Sequence, residues 1–92
     1  MRKLYIVSFV YAVDSISIAV YAAFAKDGQH AEDLAKMYKS EGEKIDWDDY
    51  TIDVTDMRMR VNDKSFKELD SEEGWTGEGD YPVTEVFYWS RG

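Results

Sequence analysis

Residues 3–24 read KLYIVSFVYAVDSISIAVYAAF, and this stretch decides the fold. Most of its residues are β-branched, aromatic or alanine; Ser8 and Ser17 interrupt the apolar run singly, and Val13-Asp14-Ser15 forms the longer break. On each side of the break, residues of one parity form an apolar row, as in strands that turn one face towards a core. The pattern predicts an antiparallel hairpin of two strands, with its turn at Val13–Ser15.

The period of the apolar residues then changes from that of a strand to that of a helix. One stripe has the spacing i, i+3, i+4 and i+7 and consists of Ala31, Leu34, Ala35 and Tyr38. Asp27 or Gly28 can cap the start of this helix, because the Asp carboxylate accepts hydrogen bonds from free backbone N–H groups. Gly42 is the expected stop at its C-terminal end.

Two further strands follow the acidic linker Glu43–Asp49. The first is predicted at Tyr50–Val61, where the alternation slips near Thr55-Asp56, so we expect an extra residue there that bends or bulges the strand. The second is predicted at Val83–Trp89, and its strand period favours a core position for Trp89.

The stretch between these strands, Asn62–Pro82, is the least regular part of the chain. Ser65–Leu69 is compatible with one helical turn, and the glycines and the proline that follow favour a loop. The element order is therefore ββαββ. It predicts an α+β fold in which one helix packs on a face of a four-stranded antiparallel sheet, and residues 1–92 form a single domain.

Charge is the strongest functional signal. The formal net charge is -8, and residues 41–56 hold seven acids against the single base Lys44. Residues 63–80 hold seven more acids against two lysines. Two such blocks attract basic partners and repel nucleic acid and anionic lipid, so we expect no direct nucleic-acid binding and no membrane binding. The interruptions by Ser and Asp within residues 4–24 favour strands over a signal peptide or membrane span.

The sequence lacks the residue patterns of catalysis and of metal or cofactor binding. It contains no cysteine, which excludes disulfides and thiolate metal sites and fits a reducing cytoplasm. The acidic run from Asp46 to Asp56 lacks the central glycine and terminal glutamate of a calcium loop. His30 has no adjacent nucleophile in the sequence, and the glycine-rich stretch 74–79 lacks the lysine of a phosphate-binding loop. We therefore expect no enzyme activity, metal or cofactor.

The predicted partner-binding residues combine both acidic blocks with two tryptophans. They are Glu43, Asp46, Trp47, Asp48, Asp49, Asp53, Asp56, Glu72, Glu73, Trp75, Glu78 and Asp80. Aromatic anchors ringed by charge are typical of protein recognition surfaces. Trp47 and Trp75 equally fit a role in covering the core, and the sequence leaves both alternatives open.

One segment resembles a known family. A strand ending in Ala-Phe-Ala at 23–25, a helix closing on Met-Tyr-Lys-Ser-Glu-Gly at 37–42, and Ile-Asp-Trp-Asp-Asp-Tyr at 45–50 resemble small DpnD/PcfM-like proteins of phages and conjugative elements. The resemblance covers about residues 21–54. It implies an origin on a mobile element, expression in the cytoplasm of a bacterial host and, by analogy, an inhibitor of host defence such as an anti-CRISPR protein.

Two functional hypotheses follow. In the first, the chain acts by stoichiometric binding, and its carboxylates replace nucleic-acid phosphates on a basic nucleic-acid-binding protein, with a CRISPR effector as the most concrete candidate. In the second, it is a homo-oligomer, for example a homodimer, that binds a small molecule such as a nucleotide signal. That alternative requires Lys3, Arg58 and Arg60 to gather in one place. A purely structural or regulatory role in an assembly is a third possibility.

Overall fold

The computed structural model describes residues 2–61 and 81–91, and at residues 60 and 61 it describes the backbone alone. The elements, in chain order, are β1 (Arg2–Ala12), β2 (Ile16–Ala25), α1 (Gly28–Ser40), a 3-10 turn (Trp47–Asp49), β3 (Tyr50–Val61) and β4 (Val83–Arg91). The strands form an antiparallel sheet in the order β3-β1-β2-β4. The predicted α+β fold and its ββαββ order are confirmed.

The predicted hairpin is the centre of this sheet. β1 and β2 pair without interruption from Lys3 opposite Ala25 to Ala12 opposite Ile16. The turn consists of residues 13–15, as expected. Both strands are therefore internal, and β3 and β4 are the two edge strands of the described sheet.

The helix covers one face of the sheet through small residues. Ala31 and Ala35 are buried against the core, and Leu34 and Tyr38 lie half-buried beside them, which confirms the predicted stripe. The side chain of Asp27 caps the first turn by accepting a hydrogen bond from the N–H of His30 at 2.8 Å. Alanines at the contact bring the helix close to the sheet, which suits a chain of this size with a small core.

The helix ends one residue earlier than its glycine signal. Glu41 is the C-cap, with a left-handed backbone at φ 50°, and its N–H donates to the carbonyl of Met37. Gly42 follows with a φ of 85°, a conformation that glycine adopts without steric cost. These two left-handed residues turn the chain towards the linker.

The two faces of the sheet are covered unequally. Side chains that face α1 form the buried core, among them Tyr5, Val7, Phe9, Ala19, Tyr21 and Ala23. We call the opposite side the open face; it carries Ile6, Val10, Ile18, Val20, Phe87 and Trp89, and at one end also Ala22 and Phe24, which are buried. None of the described helices packs on the open face. The predicted core position of Trp89 is wrong, because its strand period places it opposite Ile18 on this face, where it is 42% exposed.

A large bulge interrupts β3 where its alternation slips. Leu4 alone lies between the ladder positions Lys3 and Tyr5, whereas three residues lie between their partners Arg60 and Asp56. The bulge is confirmed, and it holds two extra residues where the sequence predicted one. At its centre Arg58 has a left-handed φ of 56°, and its N–H donates to Asp56 Oδ1 at 2.7 Å.

Part of the sequence-based reading falls on residues 62–80. The helical turn expected at Ser65–Leu69 and the loop that contains Trp75 lie outside the described residues. In the described ranges, no helix has the length and apolar character that crossing a bilayer requires.

Candidate interaction surface

The predicted binding residues of the first acidic block lie on the linker, the 3-10 turn and β3. The six acids predicted to bind in this block are all exposed: Glu43, Asp46, Asp48, Asp49, Asp53 and Asp56. The other predicted residues, Glu72, Glu73, Trp75, Glu78 and Asp80, lie outside the described residues. The described part of the candidate surface is therefore the β3 side of the sheet.

Asp46 shapes the turn that carries two of these acids. Its Oδ1 accepts a hydrogen bond from the N–H of Asp48 at 3.1 Å, and its carbonyl accepts one from the N–H of Asp49 at 3.3 Å. A carboxylate at this position satisfies N–H groups that the short 3-10 turn leaves without a partner. Asp46 thus holds the backbone of Asp48 and Asp49 in place while their side chains extend into solvent.

Trp47 anchors the same turn from the inside. Its ring is half-buried and lies 5.5 Å from the ring of Phe9 and 5.5 Å from that of Tyr50, measured between centroids. The ammonium of Lys36 lies 5.5 Å from the centroid of the Trp47 ring, within the range of a cation–π contact. Of the two roles left open by the sequence, the geometry places Trp47 in contact with the core, where it fixes the turn to the sheet.

Asp56 is engaged by its own surroundings. It accepts the hydrogen bond from Arg58 that closes the bulge, and its Oδ2 lies 4.0 Å from the ammonium of Lys3. It also faces the helix side of the sheet, since it pairs with Tyr5, whereas Asp53 pairs with Ser8 on the open face. Asp56 and Asp53 therefore do not form one continuous row of carboxylates.

Four exposed carboxylates remain that serve no such local purpose: Glu43 on the linker, and Asp48, Asp49 and Asp53 on the 3-10 turn and β3. Asp48, Asp49 and Asp53 are exposed, and in the described part of the chain their side chains make no hydrogen bond or ion pair. From Asp49 to Asp53 the chain advances four residues, about 13 Å at the rise of an antiparallel strand. We call Asp48, Asp49 and Asp53 the acidic edge.

The sheet places the three basic residues required by the second hypothesis at neighbouring backbone positions. Lys3 pairs with Arg60 in the ladder, and Arg58 lies in the bulge between Arg60 and Asp56. The ammonium of Lys3 faces Asp56. β3 is therefore acidic where it begins and predominantly basic where it ends.

The residues that sequence reasoning missed lie on the opposite edge. Phe87, Tyr88 and Trp89 of β4 are 51%, 57% and 42% exposed, and we call them the aromatic edge. Phe87 and Trp89 lie on the open face, and Tyr88, which pairs with Ala19, lies on the helix side. One signal could have found them: residues 86–89 of β4 are apolar at both parities, and the described helix of 13 residues covers only part of one face.

Burial perturbs three tyrosines of the covered face. It raises the pKa of Tyr21 to about 12, with the carboxylate of Glu85 as the second cause. It also raises the pKa of Tyr5, which lies near Asp56, and that of Tyr50, which lies near Tyr11. A neutral phenol in the core needs no counter-ion, so these shifts indicate packing.

His30 belongs to the structure of the helix start. Its Nδ1 accepts a hydrogen bond from the N–H of Lys26 at 3.1 Å, and its ring meets that of Tyr81 edge-on, with centroids 4.7 Å apart. These contacts tie the helix to the segment that leads into β4. Among the described residues, no group of three or more His, Cys, Asp or Glu side chains is placed to hold a metal ion.

Comparisons with known proteins identify no relative of this chain: no family model, curated protein or solved structure matches it. The resemblance of residues 21–54 to DpnD/PcfM-like proteins therefore stays a prediction.

Proposed function

We propose that this chain is a non-catalytic binding protein that uses the acidic edge to occupy a basic surface of another protein. The observation that carries the proposal is the state of Asp48, Asp49 and Asp53. All three are exposed; Asp46 and Trp47 fix the backbone of Asp48 and Asp49, and pairing of β3 with β1 fixes that of Asp53. Carboxylates that need no ordering on binding lose less entropy when a partner docks.

The charge of the chain defines the class of partner. A net charge of -8 favours a basic protein, and proteins that bind nucleic acid carry such surfaces. One strand of a DNA duplex carries about four phosphates in 13 Å of helix axis. The acidic edge therefore replaces a short run of phosphates and acts as a partial mimic. The predicted mobile-element origin makes a bacterial nucleic-acid-binding protein, such as a CRISPR effector, the first partner to test.

The test compares two variants with the same net charge. Asp48→Asn/Asp49→Asn/Asp53→Asn neutralises the acidic edge, and Asp14→Asn/Asp33→Asn/Glu41→Gln neutralises three exposed acids elsewhere. Each variant and the parent are immobilised and exposed to a nuclease-treated bacterial lysate, and bound proteins are quantified by mass spectrometry. The proposal predicts a basic nucleic-acid-binding protein that the parent and the control variant retain and the edge variant loses.

A competition experiment then tests the mode of action. The captured protein is purified and its binding to its own nucleic acid is measured with increasing amounts of the chain. Displacement of the nucleic acid supports phosphate mimicry. Equal retention by the two variants, or simultaneous binding of chain and nucleic acid, contradicts the proposal.

A further inference from the structure

The outer edge of β4 has the features of a surface that pairs with another strand. In the described part of the chain, no strand lies beyond β4, so the backbone N–H and C=O groups of residues 86–90 that point away from β2 pair with no described strand. Its residues Val86–Ser90 carry no charge, and the side chains of Val86, Phe87, Tyr88 and Trp89 are exposed. Natural proteins usually protect such an edge with charges, proline or a covering element.

We infer that the aromatic edge is the contact between two copies of this chain, which pair β4 with β4 in antiparallel orientation about a two-fold axis at Tyr88. This inference uses the edge that the proposed function leaves unused. The paired copies would share one continuous eight-stranded sheet, with an acidic edge at each outer end.

The sequence of β4 is complementary to itself about this axis. Phe87 and Trp89 flank Tyr88 on the same face, so the symmetry places Phe87 of each copy directly opposite Trp89 of the other. Aromatic pairs across antiparallel strands stabilise the pairing. The four rings would extend the apolar rows of Ile18 and Val20 across the interface.

Charge selects a second copy at β4 and rejects it at β3. An isologous contact places the same patch of both copies together, so a chain with a net charge of -8 repels its copy wherever that patch is acidic. Val86–Ser90 is an uncharged stretch on an edge, whereas β3 carries Asp53 and Asp56. The bulge centred on Arg58 further disrupts the β3 edge, whereas the single extra residue of β4, Val86, lies at the end of the uncharged stretch and leaves the ladder regular from Phe87 to Ser90.

The expected area predicts a weak and reversible dimer. Phe, Tyr and Trp side chains each present about 150–250 Å², and about half of each is exposed here, which gives roughly 600 Å² for two copies. The strand backbones and Val86 bring the total near the lower limit of about 1,000 Å² for specific interfaces. We therefore expect a dissociation constant in the micromolar range, and tighter pairing as added salt screens the repulsion.

Single-cysteine variants test both the contact and its register, because the natural chain contains no cysteine. In Tyr88→Cys the axis places two thiols on directly opposite residues, with Cβ atoms about 4.5–5.5 Å apart, close to disulfide geometry. Thr55→Cys on the β3 edge and Met37→Cys on the exposed side of the helix are the controls. Under mild oxidation at micromolar protein, we expect Tyr88→Cys to form disulfide dimers at least tenfold faster than either control.

Sedimentation equilibrium tests the same contact without crosslinking. The average mass of the parent should approach twice that of the chain as concentration rises, and more readily at higher salt. Trp89→Lys should stay monomeric over that range, and Met37→Lys, which adds the same charge at another exposed apolar residue, should behave like the parent. Circular dichroism establishes that the variants are folded.

The outcomes are decisive in both directions. Equal crosslinking rates for Tyr88→Cys and Thr55→Cys, or a parent that stays monomeric at all concentrations, would overturn the inference. Binding of a basic partner weakens with salt while self-pairing strengthens, so a failure of one proposal is distinguishable from a failure of the other.

Discussion

The two edge strands of the sheet differ in how far their outer edges are protected from pairing with another strand. β3 ends the sheet with exposed carboxylates and a bulge, whereas β4 ends it with three exposed aromatic residues and no charge between Val86 and Ser90. An unprotected edge invites strand pairing, and charges or bulges prevent it. Under the two proposals, β3 stays single and meets a charged surface, while β4 pairs with a second copy.

The faces of the sheet explain why both edges are accessible. The helix spans 13 residues, about 20 Å, along strands of 9 to 12 residues, about 30–40 Å. It therefore covers only part of one face, although it contacts both edge strands as well as the two central ones. The core then rests on few large residues, of which Phe9 and Val7 are fully buried.

The largest effect is expected from two phenylalanines on opposite faces. Phe9→Ala should lower the free energy of unfolding by about 3–5 kcal/mol, because Phe9 is fully buried and contacts the rings of Tyr21, Trp47 and Tyr50. Phe87→Ala should lower it by less than about 1 kcal/mol, because Phe87 is half exposed. Urea unfolding at concentrations where the chain is monomeric measures both, and equal losses would show that the open face is covered.

The next effect concerns the rate of binding at the acidic edge. Asp48→Asn/Asp49→Asn/Asp53→Asn should slow association with the basic partner about tenfold at low salt and change dissociation less, because charge steers the encounter. Raising the salt should bring the parent and the variant together, since the Debye length falls to about 8 Å at physiological ionic strength. Surface plasmon resonance at two salt concentrations measures this, and identical association rates at low salt would contradict it.

A smaller effect is expected from removing the protection of β3. Asp49→Thr/Asp53→Thr replaces two carboxylates with strand-forming residues and should increase self-association a few-fold, because like charges opposed across strands cost about 0.2–1 kcal/mol per pair. The control Asp14→Thr/Asp33→Thr makes the same change in charge away from the edge. Light scattering against concentration compares the two, and the prediction fails if the control associates as strongly.

The smallest effect on stability at neutral pH is expected from the raised pKa of Tyr21, which matters only in alkaline solution. Its pKa is about 12 in the folded chain and ordinarily near 10, so the folded state retains a proton that the unfolded state loses between those values. The free energy of unfolding should therefore fall as the pH rises above about 10. Glu85→Gln should lower the pKa of Tyr21, since the negative charge of Glu85 is the second largest cause of the raised pKa, after burial. Tyrosinate absorbance during alkaline titration measures the shift. An unchanged titration curve would show that the charge of Glu85 does not affect the pKa of Tyr21.

The sequence predicted what depends on local pattern. The hairpin turn at Val13–Ser15, the helix stripe from Ala31 to Tyr38 and the start of β3 at Tyr50 follow from period and capping, which neighbouring residues set. The bulge was visible as a slip in alternation, but its size was not. The number of extra residues depends on the hydrogen bond from the Arg58 N–H to Asp56, and the alternation of apolar residues does not predict that bond.

Long-range arrangement accounts for what the sequence missed. The strand period of Trp89 is correct, yet period does not tell which face of a sheet a helix will cover, and Trp89 lies on the other one. The acidic residues from Asp46 to Asp56 looked equivalent in the sequence. Their separate roles, in which Asp46 and Asp56 bond to backbone amides and Asp48, Asp49 and Asp53 stay exposed, depend on the 3-10 turn and the bulge.

Amide hydrogen exchange as a function of protein concentration tests the difference between the edges most directly. We expect the amides among residues 87–90 of β4 that point away from β2 to become more protected as the concentration rises through the micromolar range, while those of residues 51–55 in β3 do not change. Protection that is independent of concentration in both strands, or that increases in β3 instead, would contradict this expectation.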